Sequence, residues 1–341
     1  MKAAVIGTSF SGKTTLFRLL TEHPAAGPDL FSGVGQMILP VEGVEALART
    51  VGSRRATHPR ADLYDFDGFG KRWSEEHAGR IFNSLAGFDL LIQVVNAFTR
   101  NPLEDFEDLD LRLVLTDLEH AEGLLKRLRK EIQARKADRR LGELLEQAVA
   151  LLEAGQPLQN LDLQPQDHKR LRGYGFLTLL PRIVVVNRGE EPTDAALSRV
   201  LQEKGLPHLE TSLALESELQ TLEDLKEREQ LRELYGLPGA LRPTLATLWL
   251  DALDLVPFFT ANDQEARAWL VPRGATLLEA AAAIHQDLAR GFIRAEVVPL
   301  DRFLEAGSWA TAREHGWVRT LGRDHPVEPR SLILIRFQPA R

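Results

Sequence analysis

The stretch GTSFSGKTT, residues 7–15, lies between an apolar run, Lys2–Ile6, and a segment with apolar spacing Leu16, Phe17, Leu19 and Leu20. It fits G-x-x-x-x-G-K-[ST], a motif that needs a strand before it and a helix after it. The spacing predicts both, a strand over Lys2–Ile6 and a helix over Thr14–Thr21. In that setting backbone N–H groups converge on phosphate oxygens where the helix dipole also favours an anion. Gly7 and Gly12 allow the tight path and close approach. Lys13 is expected to reach the β- and γ-phosphates and the Thr14 hydroxyl to bind Mg²⁺. Ser9, Phe10, Ser11 and Thr15 complete the expected phosphate cradle. A chance glycine turn is the bland alternative, and the strand–loop–helix context with an intact GK-T argues against it.

Further strands are predicted at Ala61–Phe66, Phe88–Val95, Arg182–Asn187 and His208–Ser212, with helical segments between several of them. That alternation predicts an α/β fold with a doubly wound, mainly parallel sheet. Two weak motifs fall at strand ends. ADLYDFDG puts Asp65 at a strand end with Gly68 three residues on, a D-x-x-G in which Asp65 would hold Mg²⁺ through water and the Gly68 N–H would meet a γ-phosphate. RIVVVNRGE puts Asn187 at a strand end, followed by Arg188 and Glu190, the form of a base-reading N-[KR]-x-[DE]. Each alone is weak, because Asp, Gly and Asn are common turn residues. In order, behind the loop, they support a nucleotide site.

Composition narrows the classes. The 341 residues allow two or three domains, and there are no cysteines, so disulfides, thiolate zinc and cysteine nucleophiles are excluded. No apolar run approaches the roughly 18–20 residues of a membrane span, and the first apolar run reads as a strand, not a signal peptide. A cytoplasmic protein without a membrane partner is the expectation. Net charge is −7, so nucleic-acid contact must come from a local patch. One exists. Leu111–Gly155 carries leucines at spacings near three and four (Leu111, Leu115, Leu118, Leu125, Leu128, then Leu141, Leu144, Leu145, Leu151, Leu152), which predicts two long helices in an antiparallel hairpin. Its tip, Lys126–Arg140, holds eight basic residues (Lys126, Arg127, Arg129, Lys130, Arg135, Lys136, Arg139, Arg140) against two acidic ones. A solvated surface and a phosphate-backbone contact are both open readings. Leu237–Arg242 reads as a linker. After it, short strands at Ala268–Val271, Phe292–Val298 and Leu332–Phe337 surround a helix at Leu277–Arg290, which suggests a small β-grasp domain. The expected organisation is a discontinuous nucleotide domain (1–108 and 174–240), a helical insertion (109–173) and a C-terminal domain (255–341).

On these residues the chain resembles the YchF family, in the Obg-like branch of P-loop NTPases, over essentially its whole length. LVLTDLEHAE (Leu113–Glu122) and LTLLPRIVVVN (Leu177–Asn187) resemble the segments flanking that family's coiled-coil insertion. SLALESELQTL (Ser212–Leu222) resembles its fifth nucleotide motif, adding Ser212 and Leu213 to the site. FFTANDQEARAWLVPRGATLLEAAAAIHQDLARGFIRAEVV (Phe258–Val298) is the densest match and resembles the family's TGS domain. The resemblance implies a P-loop NTPase with a coiled-coil insertion and TGS, ribosome or rRNA as partner, and ATP preferred over GTP, and a monomer is expected. The preference has a physical rationale. Guanine's two donors suit an Asp, whereas Glu190 is one methylene longer, and Asn187 is placed to pair with adenine N6 and N7.

The departures cluster on hydrolysis. Phe10 replaces the Asn that in related enzymes helps hold a monovalent cation. The switch I stretch, His23–Gln36, offers Asp29 or Ser32 where the family has a metal-binding Thr. Phe69 cannot orient water, although a hydrophobic residue at this place agrees with the family. NAFTRNPLEDFEDLD (Asn96–Asp110) lacks the family's His. Slow or impaired hydrolysis with retained binding is expected. The alternative is a nucleotide-gated or nucleotide-indifferent ribosome or RNA binder. In the C-terminal domain, His285, Asp287 and Trp269 read as structural.

Overall fold

The computed structural model describes residues 1–341 except 29, 68, 70–74, 100, 134–138, 190–194, 238 and 339–341. Gly68, Glu190, Asp29, Arg135 and Lys136, all named above, therefore lie outside the described residues. Along the first 211 residues run β1 (Lys2–Gly7), α1 (Lys13–Leu20), β2 (Glu22–Ala25), β3 (Phe31–Ile38), α2 (Val44–Val51), β4 (Arg55–Thr57), β5 (Arg60–Phe66), α3 (Glu75–Leu85), β6 (Leu90–Ala97), α4 (Pro102–Gln133), α5 (Arg139–Glu153), α6 (Pro165–Arg172), β7 (Arg182–Arg188), α7 (Ala195–Glu203) and β8 (His208–Thr211).

All of these strands but β4 form one sheet in the order β2-β3-β5-β1-β6-β7-β8. From β5 to β8 the neighbours pair in parallel, and β2 pairs antiparallel with β3. Central parallel strands are covered on both faces, so they read as continuous apolar runs. Ala3, Ala4, Val5 and Ile6 of β1 are accordingly all buried, as are Leu90, Leu91 and Ile92 of β6. The β2–β3 pair was not legible in the sequence, where His23–Gln36 read only as a degraded switch.

The helical hairpin begins earlier than its leucine spacing suggested. α4 starts at Pro102, with Glu104 and Asp105 in its first turn, and runs for 32 residues. Proline at the first position and acids in the first turn both suit a helix N-terminus. Leu111 is 51% exposed and Leu115 is 36% exposed, so these two do not form the seam. Val114, Ala121 and Leu125 do, against Leu141, Leu144, Leu145, Ala148 and Leu152 of α5, while Leu109 and Leu113 face the sheet core. At the root, the buried Asp117 carboxylate accepts from the N–H groups of Leu177 and Thr178 at 2.8 and 2.7 Å and from the Thr178 hydroxyl at 2.6 Å. This pins the returning chain just before β7. Burial pushes the Asp117 carboxyl up to about 6, against the three hydrogen bonds, which favour its charged form. Beside it His120 stacks on Phe82 at 3.5 Å between ring centres. Burial, helped by the nearby Arg127, lowers the His120 imidazole to about 4 against a hydrogen bond with the Tyr174 backbone.

After β8 come α8 (Leu213–Thr221), α9 (Leu225–Leu234) and α10 (Leu241–Ala252), then β9 (Leu255–Ala261), β10 (Glu265–Pro272), α11 (Leu277–Ile284), α12 (Gln286–Arg290), β11 (Phe292–Pro299), α13 (Leu300–Ala306), α14 (Trp309–Glu314), β12 (Arg319–Leu321) and β13 (Ser331–Phe337). Residues 242–341 gather with residues 38–60 into a second compact unit. Its sheet has the order β12-β11-β13-β9-β10-β4, with β9 and β13 parallel at its centre. That is a β-grasp arrangement. α11 packs on one face through Leu277, Ala280 and Ala281, and α2 and α13 pack on the other through Val44, Leu47, Leu300 and Phe303. The edge strand β4 pairs in parallel with β10, Arg55 opposite Glu265. The expected C-terminal boundary at 255 did not include this early segment. The helix expected over Leu277–Arg290 breaks at His285, whose Nδ1 accepts from the Asp287 N–H at 3.2 Å and so caps α12. Trp269 is half-buried, its Nε1 donating to Thr260 and its ring beneath Arg267.

Candidate functional site

The phosphate loop is held from two sides. On one, the Thr8 hydroxyl donates to Asp105 Oδ1 at 2.6 Å, and Asp105 Oδ2 accepts the Asn96 N–H at 2.9 Å. Asp105 belongs to the first turn of α4, so the hairpin helix starts as a buttress of the loop. On the other, Asn187 Nδ2 donates to the Ser11 carbonyl at 2.9 Å while its Oδ1 accepts the Leu213 N–H at 3.1 Å. These ties explain both glycines. A Cβ at Gly7 would sit 2.7 Å from the Val94 carbonyl, and one at Gly12, where φ is +97°, would sit 2.4 Å from Asn187 Nδ2. Between them Phe10 takes φ +64° with its ring 89% exposed. A left-handed conformation costs an L-residue roughly 1–2 kcal/mol, which the flanking ties offset.

Lys13 is buried, its Nζ donating to the Thr8 carbonyl at 3.3 Å and pairing with Asp67 Oδ1 at 3.2 Å. The Thr14 hydroxyl donates to Asp65 Oδ2 at 2.6 Å. Ser32 from β3 donates to the same oxygen at 2.6 Å. The other carboxylate oxygen, Asp65 Oδ1, is buried and has no hydrogen-bond partner among the described residues. An unpartnered buried carboxylate oxygen is costly unless something pairs with it. With two hydroxyls beside it, the donor set is all oxygen and suits a hard divalent cation.

A cavity of about 650 Å³ opens beside the loop, lined by Lys13 and Thr14 at one end and by Phe10, Phe98, Leu213 and Leu215 elsewhere. That is within the usual range for a small-molecule site. Of the residues expected there, Phe10, Gly12, Lys13, Thr14, Thr15, Asn187, Arg188, Ser212 and Leu213 border it. Gly7 and the buried Ser11 shape the loop from behind, and Ser9 is exposed on it. Arg188 differs from expectation in its side chain, which donates to the carbonyls of Gly189, Tyr235 and Gly236 and so ties β7 to the end of α9. Asn187, expected to read adenine, is already engaged at both amide atoms, leaving one N–H and one lone pair for a base. Sequence reading missed Asp105, Asn96 and Asp67. The signal for Asp105 was the proline at 102, which suits a helix start.

At the hairpin tip Lys126, Arg127, Arg129, Lys130, Arg139 and Arg140 are all exposed. Arg129 pairs with Glu146 at 2.9 Å, and Arg140 pairs with Asp167 and Glu143 at 2.7 and 3.1 Å. Among the described residues, Lys126, Arg127, Lys130 and Arg139 have no carboxylate partner. α6 packs on α5 and adds the exposed Lys169 and Arg172 to the same region.

A parallel sheet, a glycine loop opening a helix and a buried loop lysine define a P-loop nucleotide-binding fold. Residues 255–338 match the family model YchF-GTPase_C, described as a protein of unknown function (DUF933). The chain is 29% identical over 361 residues to the ribosome-binding ATPase YchF of Pasteurella multocida (strain Pm70), covering 98% of this chain and 99% of that protein. It is 27% identical over 363 residues to the ribosome-binding ATPase YchF of Bacillus subtilis (strain 168), covering 99% of each. Its fold matches the structure of the Schizosaccharomyces pombe YchF GTPase with a TM-score of 0.82 at 22% identity, over 98% of this chain and 97% of that one. The chain is thus similar over nearly its whole length to YchF proteins and shares the fold of one of them.

Proposed function

We propose that this protein binds a purine nucleoside triphosphate with Mg²⁺, prefers ATP to GTP, hydrolyses it slowly and associates with the ribosome through RNA. The observation that carries the nucleotide reading is the Asp65 cluster, where two hydroxyls meet one carboxylate oxygen and the other oxygen has no partner among the described residues. Mg²⁺ held by Thr14, Ser32 and Asp65, directly or through water, would supply charge neutralisation at the phosphates. Ser32 rather than Asp29 is then the switch I contributor. Lys13 holds β- and γ-phosphate oxygens, and the loop N–H groups orient them. Phe98 and Leu213 give the base apolar walls. Support for ATP is the extra methylene of Glu190 relative to Asp. Support for slow hydrolysis is that Phe10 offers no cation ligand and Phe69 no water partner.

The relatives are named as ribosome-binding, and the exposed tip cations suit a phosphate backbone. The protein is read as a cytoplasmic monomer, and no described helix is long and apolar enough to cross a membrane. Titration of ATP and GTP with Mg²⁺ present tests the nucleotide reading, and GTP binding tenfold tighter would refute the preference. A second reading, a ribosome or RNA binder indifferent to nucleotide, is favoured by the same hydrolysis-side departures. Lys13→Ala separates the two, because unchanged ribosome association and nucleotide response would select the second.

A further inference from the structure

Lys13 already carries a carboxylate. Asp67 Oδ1 lies 3.2 Å from its ammonium, with the lysine side chain 8% exposed and the aspartate 65% exposed. Asp67 is not free to drift, because its N–H donates to the Leu30 carbonyl at 2.9 Å, fixing the backbone between β5 and Gly68. The sequence reading passed over it, because D-x-x-G leaves that position open. Resting on the nucleotide reading above, Lys13 is the ammonium that meets a γ-phosphate. A γ-phosphate brings up to about two negative charges toward a group that Asp67 already pairs. Two anions close to one ammonium repel each other. A diphosphate brings Lys13 only its β-phosphate, which the loop N–H groups also hold deeper in the cradle, so it crowds the Asp67 carboxylate less.

We propose that Asp67 is a specificity-determining residue that competes with the γ-phosphate for Lys13, weakening triphosphate relative to diphosphate. Nucleotide occupancy then follows the contest for one buried ammonium as well as hydrolysis. A triphosphate displaces Asp67, and the Asp67 pair re-forms when the γ-phosphate leaves. The carboxylate is exposed, so the competition is screened and the effect is moderate.

Calorimetric titration of the full chain with Mg²⁺ tests this, using ADP and a non-hydrolysable ATP analogue on the parent, Asp67→Asn and Asp67→Ala. Both variants should bind the analogue about three- to tenfold more tightly while ADP moves by no more than about twofold, with the difference shrinking in high salt. ADP and analogue shifting equally, or neither shifting, overturns the proposal while leaving the nucleotide site intact. An unchanged affinity ratio with a slower hydrolysis rate also overturns it and makes Asp67 a water-orienting group instead. Failure of the parent to bind either nucleotide overturns the site reading itself and this inference with it.

Discussion

The two ends of α4 treat positive charge in opposite ways. At the N-terminal end, Asp105 holds the loop that carries Lys13, and that lysine is buried among fixed partners. Up to about 38 Å away, at 1.5 Å per residue from Asp105 to Lys130, the hairpin tip displays its cations to solvent and ties two of them to its own acids. A buried cation selects by geometry, because each misplaced partner leaves a desolvated charge. Exposed cations select by charge density, are each worth less than about 1 kcal/mol, and are screened by salt. One helix therefore joins a site that recognises shape to a surface suited to a polyanion.

The contrast is broken most forcefully at the loop. Lys13→Ala should weaken ATP binding by at least about 100-fold, the scale for removing one partner of a buried charge pair. Calorimetry reads this, and a change under fivefold would put Lys13 on the exposed-cation side. Next, Asp105→Ala leaves the Thr8 hydroxyl and the Asn96 N–H unpaired in the interior. It should cost about 2–3 kcal/mol of folding stability by urea denaturation. No loss would mean that the helix start does not brace the loop. Substituting Gln at Lys126, Arg127, Lys130 and Arg139 together should weaken rRNA binding about tenfold and flatten the slope of log K against log salt by about 2–3. An unchanged slope returns the tip to a solvated surface.

The smallest effect concerns the hairpin root, between the two ends. The imidazole of His120 lies below its ordinary value of 6.5, at about 4 in the fold. Its stabilising contribution is therefore complete above 6.5 and is lost as pH falls toward 4. The Asp117 carboxyl lies above its ordinary value of 3.8, at about 6 in the fold. Its contribution is present below 3.8 and is lost as pH rises through 6. The slopes oppose each other over one window, so the parent should be nearly flat between pH 4 and 6. His120→Leu should expose the Asp117 slope, making the variant lose roughly 1–2 kcal/mol as pH rises. Thermal denaturation across that range checks it, and a variant that gains stability with pH would contradict the assignment.

Much of this contrast was readable in the chain. The loop, Asp65 and Asn187 stand at the ends of apolar runs, where a local pattern fixes both strand and site. The cradle's supports were not readable, because Thr8 meets Asp105 across 97 positions and Ser32 meets Asp65 across 33. The hairpin was legible as a pair of helices, but the Leu111 and Leu115 spacing marked the exposed side of a helix that begins nine residues before Leu111. β4 carried no signal at all. Three residues show no periodicity, and their partner strand lies some two hundred residues on. The tip's charge was countable, but its internal pairs with Glu146 and Asp167 depend on how α5 and α6 return.

On the proposed function, the Asp65 cluster and Lys13 together grip a nucleotide with magnesium. Titrating a non-hydrolysable ATP analogue into the parent and into Asp65→Asn, each with and without Mg²⁺, tests it most directly. One-to-one binding is expected, tightened by Mg²⁺ about tenfold or more in the parent, with that gain lost in Asp65→Asn. Binding that ignores Mg²⁺ equally in both proteins, or no binding in the parent, would contradict it.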